Sequence, residues 1–208
     1  MVDYLMLLSF VGATALLAIT PGPDNIFVLI QSLTNGVKFG LATVYGLMSG
    51  CIIHTSLVAF GVAAIIRANV HLFLGLKIAG ALYLLYLAYR VFRAPASILL
   101  QQENSSQKTE WQLFKQGFLM NVLNPKVSIF FLALFPGFLF SDRMSTVLQF
   151  YILGGLFILT SLIIFSLIAI GAGKISTLLR DNHQFSRTLK WVQISVFIGI
   201  AAYILVKN

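Results

Sequence analysis

The chain has 208 residues, 59% of them hydrophobic and 10% charged, with a formal net charge of +8 and a mean hydropathy of +0.93. That leaves too little polar surface to cover a soluble globule, and the length allows roughly six membrane helices of about 20 residues with no sizeable soluble domain. The basic residues flank hydrophobic runs instead of gathering in one, a pattern that fits topology determinants and argues against a nucleic-acid partner.

The first hydrophobic run, Tyr4 to Leu33, is interrupted by Thr20-Pro21-Gly22-Pro23-Asp24-Asn25. Two prolines remove two backbone donors and restrict the residues before them, so an α-helix cannot pass through unbroken. The first basic side chain is Lys38 and the opening carries Asp3, so the run is read as a retained membrane helix and not a cleaved signal. After Asn35-Gly36, segment two (Phe39 to Ile66) holds no charged residue in 28 positions. As a helix it would measure about 42 Å, long enough to tilt. Segment three, Leu72 to Tyr89, carries Lys77 near its start and ends at Arg90 and Arg93.

Residues 94–113 are polar and read as a linker between repeats of about 1–93 and 114–208 in one polytopic domain, 1–208. Segment four, Phe114 to Phe140, is broken at Asn124-Pro125-Lys126 and bent again near Pro136-Gly137. Segment five spans Val147 to Ala172. Lys174 to Lys190 reads as a short amphipathic helix on the membrane surface, and segment six, Trp191 to Val206, as a short span. With the N-terminus outside, the inner loops collect nine basic residues against three outside, which places both termini on the periplasmic side.

Pro125 follows Pro21 by 104 residues in a chain of 208, so the breaks mark corresponding points of two halves. Three spans per half make the second half enter from the opposite side. The fold expected is therefore an all-α membrane protein of six transmembrane helices arranged as two inverted three-helix repeats, broken at Pro21/Pro23 and Pro125. Such matched breaks point to a secondary transporter with its site near the bilayer midplane. Each break strips amide donors from one half-helix and carbonyl acceptors from the other, and lipid cannot satisfy either. The two kinds of end suit a zwitterion such as an amino acid.

An uncompensated charge at that depth costs about 2.5–3.5 kcal/mol on insertion scales. Asp24 and Lys126 therefore need a reason to be there: neutralising each other, or accepting the substrate ammonium or a proton (Asp24) and facing the carboxylate (Lys126). Asn25 and Asn124 flank them. Lys77 snorkels to an interface or joins the site. Cys51 and His54 share a helix face but fall short of a metal site, so a packed thiol and a hydrogen-bonded imidazole are expected. The spacings Gly36 to Gly40 and Gly46 to Gly50 serve close helix contact within the chain or in a homodimer. Ser49 lacks a nucleophile-elbow context and no phosphate-cradling loop is present, so neither an enzyme nor an ATP-driven pump is expected, nor any cofactor.

The segments Thr20 to Asn25, Asn35-Gly36, Lys77-Ile78-Ala79-Gly80-Ala81-Leu82-Tyr83-Leu84 and Asn124-Pro125-Lys126 together resemble the LysE/RhtB family of bacterial amino acid exporters, over essentially the whole chain. The resemblance implies efflux of lysine, homoserine, threonine, leucine or related compounds across the inner membrane by proton antiport. It makes Pro21, Gly22, Pro23, Asp24, Asn124, Pro125 and Lys126 the signature positions, with Lys77 and Gly80 behind them. The alternatives are a metal-ion exporter of the same superfamily and a membrane scaffold that transports nothing.

Overall fold

A computed structural model describes residues 2–62, 70–93, 108–172, 174 and 183–206. Eight α-helices account for most of them, and no strand occurs among the described residues. Helix α1 (Tyr4–Ile19) starts at Asp3, whose carboxylate accepts from Met6 N at 3.0 Å. It stops at Thr20, which turns extended (ψ 117°) ahead of Pro21. Pro23 opens α2 (Pro23–Asn35) at the first helical position, where the missing N–H costs nothing. The two helices meet at 59°. Gly36, at φ +103°, then lets α3 (Val37–Leu57) start at once, a dihedral that other residues reach only under strain.

A π-helical turn, Val58–Val62, extends α3, and α4 covers Val70–Arg93. Helix α5 (Glu110–Val122) begins with a capping box between Thr109 and Gln112, so its first residues lie inside the stretch read as linker. The reading of 94–107 as linker lies outside the described residues. Asn124 caps α6 (Pro125–Ile129), which runs on through a π-helical turn (Phe130–Leu134) and a 3-10 turn (Phe135–Phe138). The 3-10 turn contains Pro136-Gly137, where a bend is expected. The bend between α5 and the segment from Pro125 is 48°. Helix α7 covers Thr146–Ile170 and α8 covers His183–Val206. Residues 183–190, expected in a separate surface helix, are thus the first two turns of α8; 175–182 lie outside the described residues.

Two described helices, Val37–Gly61 and Thr146–Ile170, are each long and apolar enough to cross a membrane, and each bent pair passes as one broken span, giving up to four. Their outward faces carry apolar side chains such as Leu5, Leu8, Leu123, Leu167 and Ile170, a surface that water would not tolerate but lipid solvates.

Helix α3 lies at the centre, against α2, α5 and α7, while α4 packs on α8 and on the turn after α6. The α3–α5 crossing brings backbone onto backbone: a Cβ on Gly46 would strike the Phe114 carbonyl and one on Gly117 the Thr43 carbonyl. Beneath the breaks sits an aromatic cluster in which Phe131 stacks on Phe135 at 4.1 Å and meets Phe157 edge-on at 4.7 Å. Phe10 of α1 meets Phe135 and Phe138 edge-on at 5.0 and 5.2 Å, so the cluster joins the first broken helix to the second.

Candidate functional site

A proline in a helix leaves the carbonyl four residues earlier without its N–H partner. At the first break that carbonyl belongs to Leu17, because Pro21 has no donor. Lys126 supplies one: its Nζ donates to Leu17 O at 3.3 Å and to Thr20 O at 3.2 Å. The neighbouring carbonyls are met as well. Leu16 O accepts from Thr20 N and Oγ1, and Ala18 O from Asn25 Nδ2 at 2.7 Å. Asn25 Nδ2 therefore turns back to fasten α1 to α2, while its Oδ1 stays buried without a partner beside Gly22.

The second break repeats the problem. Pro125 strips the partner from Asn121 O, which is met by Asn124 N at 3.0 Å and by His54 Nε2 at 3.1 Å. Asn124 Oδ1 caps α6 by accepting from Lys126 N at 3.0 Å, and its backbone oxygen accepts from Val127 N, Ser128 N and Ser128 Oγ. Asn124 thus fixes the backbone from which the Lys126 side chain reaches across to α1. The Asn121 side chain contacts Cys51 Sγ, so the hydrogen-bonded imidazole and packed thiol expected on α3 share one partner residue.

Between the breaks lies a cavity of about 20 Å³, lined in part by Leu17, Asp24, Met48, Cys51, Asn121 and Lys126. That is room for about one water. Asp24 (6% exposed) and Lys126 (7%) are buried there, and Oδ1 of Asp24 has no hydrogen-bond partner. The two charges face one cavity without a direct ion pair among the described residues. Gly22 makes this possible: a Cβ there would lie 2.5 Å from Asp24 Oδ1 and 3.4 Å from Lys126 Nζ. An ammonium has three donors, of which Lys126 spends two on α1, leaving one for the cavity.

The structure thus brings Asp24 and Lys126 together at Gly22, with Asn25 Oδ1 close by, while Asn25 Nδ2, Asn124 Oδ1 and the prolines shape the breaks. Lys77 lies on α4, with its side chain outside what is described. Gly80 packs against Ala133 of the turn after α6. Asn121 and His54 were not singled out as site residues; the signal for Asn121 was its place four residues before Pro125, where its carbonyl had to be orphaned.

The LysE type translocator family model matches residues 15–208. Two homoserine/homoserine lactone efflux proteins, from Salmonella typhimurium and Salmonella typhi, are each 30% identical over 176 residues, covering 85% of this chain and 84% of the relative. No solved structure matches the chain. Its broken apolar helices and a family match over nearly its whole length establish that the chain belongs to the LysE type translocator family, as a multi-pass membrane transporter and not an enzyme.

Proposed function

We propose that the protein exports an amino acid or a close derivative across the bacterial inner membrane through the cavity between its two helix breaks. The observation that carries this reading is the pairing of an unpartnered buried carboxylate oxygen, Asp24 Oδ1, with an ammonium that has a donor to spare, Lys126. Asp24 takes the substrate ammonium or the coupling proton, and Lys126 faces the carboxylate. Homoserine and its lactone, the compounds in the names of the relatives, share the ammonium and differ at the other end, where one has a carboxylate and the other an ester carbonyl. A lysine N–H can meet either oxygen, whereas only an acceptor such as Asp24 serves the end they share.

A cavity of about 20 Å³ cannot hold an amino acid, so the halves must part to load it. Alternating access between two inverted repeats is the movement that fits: α1 with α2, α3 and α4 form three spans, and α5 with α6, α7 and α8 form the other three. Helices α4 and α8 have 24 residues each, about 36 Å, enough to cross. The excess of basic residues on one side favours periplasmic termini. Proton antiport supplies the energy, with the surrounding lipid as the remaining partner and the glycine faces spent on internal packing.

Labelled homoserine, threonine, leucine and lysine loaded into proteoliposomes test the proposal, with cadmium as a separate cargo and with or without a proton gradient. Gradient-stimulated efflux of at least one amino acid is expected. Efflux of metal alone, or of nothing, refutes it.

A further inference from the structure

At each break a basic side chain from across the sequence meets the carbonyl that the proline deprives, alone at Leu17 O and beside Asn124 N at Asn121 O. Lys126, beyond the linker, closes the break in the N-terminal part at Leu17 O and Thr20 O. His54, on α3, closes the break in the C-terminal part at Asn121 O. A carbonyl only accepts, so Nε2 of His54 carries the hydrogen. The imidazole is 5% exposed and lies against Phe131, ring centroids 5.5 Å apart at 37°. On its own helix, Cys51 is one turn away and shares the contact with Asn121.

We propose that His54 is a positioning residue for transport: with Lys126 it forms a reciprocal pair of latches that hold the two broken helices closed over the cavity, and release of the His54 to Asn121 bond accompanies its opening. The inference rests on the reading of the cavity as the transport site. Asn121 is what joins latch and cavity, since its backbone oxygen holds His54 while the residue lines the cavity beside Cys51. Opening that bond moves the end of α5 from α3 and exposes a thiol that is otherwise fully buried.

Cys51 is the one cysteine of the chain, so it reports that opening without engineering. The full-length protein in proteoliposomes is treated with N-ethylmaleimide, with and without homoserine, as wild type, His54→Leu and His54→Gln. Loss of one hydrogen bond raises the open fraction, and so the Cys51 labelling rate, by about 2- to 10-fold in His54→Leu. Homoserine speeds labelling of the wild type and changes the leucine variant less. The glutamine variant, whose Nε2 can donate to the same carbonyl, behaves as wild type in both labelling and efflux. Equal rates for wild type and His54→Leu overturn the proposal, as does a glutamine variant as fast as the leucine one. Homoserine efflux measured on the same wild-type vesicles keeps the two readings apart. If it is absent, the export reading fails, while the homoserine-free rates still decide the latch.

Discussion

Replacing Gly117 by alanine tests whether the α3–α5 crossing holds the site together. The added Cβ meets Thr43 O and comes within 3.2 Å of Leu47 N. Both are backbone atoms of a helix, so no side-chain rotation relieves the contact and the helices must separate. Overpacking of this kind costs about 1–3 kcal/mol, and a rigid carbonyl puts this case at the upper end. For a chain of this length each kcal/mol moves the melting temperature by roughly 2–4 °C, so a fall of about 5–10 °C is expected in detergent micelles, read by intrinsic fluorescence. Gly46→Ala, which strikes Phe114 O from the other side, should do the same. The double variant should lose less than the sum, because one separation relieves both contacts. Gly155 on α7 has nothing within 4 Å of its would-be Cβ, so Gly155→Ala is the control and should be neutral or stabilising by about 0.5–1 kcal/mol. An unchanged melting temperature for Gly117→Ala, or an equal fall for Gly155→Ala, would refute the crossing as described.

Gln149, 2% exposed, accepts from Phe140 N and Ser141 N and donates to Ser141 O and Met144 O, holding the connection between α6 and α7. Gln149→Leu strands the buried Phe140 N–H and loses the other bonds, for about 3–5 kcal/mol in all. Urea or thermal titration should show that loss, and a drop under 1 kcal/mol would contradict it. The Lys38 to Glu110 ion pair, 2.7 Å long, is exposed on both sides. Lys38→Ala should shift stability by less than about 1 kcal/mol at any salt concentration, and a larger effect would mean that the pair holds α3 to α5.

The breaks were legible because proline has a fixed chemical consequence: it withholds an N–H at a known offset, so the orphaned carbonyls at Leu17 and Asn121 follow from the prolines. What meets those carbonyls was not legible. Lys126 finds Leu17 109 residues away and His54 finds Asn121 67 residues away, distances at which no local pattern speaks. That Asn25 Nδ2 turns back to Ala18 O while its Oδ1 stays buried without a partner was equally hidden, since no local pattern tells which end of an amide is engaged. The glycine spacing around Gly46 announced close approach without naming α5, since a small residue encodes room and not a neighbour. Residues 183–190 read as a separate surface helix because they are polar, and a hydropathy pattern marks the apolar part of a helix better than its polar extension.

In the proposed export cycle the free oxygen of Asp24 receives the substrate ammonium or the coupling proton. Homoserine efflux from proteoliposomes bearing Asp24→Asn, followed across a range of internal and external pH, tests it most directly. The substitution keeps the shape and removes the charge, so efflux should fall by at least about tenfold, the factor lost with one charge-assisted hydrogen bond of about 1.5 kcal/mol or more, and the remainder should lose its dependence on the proton gradient. Wild-type efflux with wild-type pH dependence in the asparagine variant would mean that Asp24 takes neither the ammonium nor the proton.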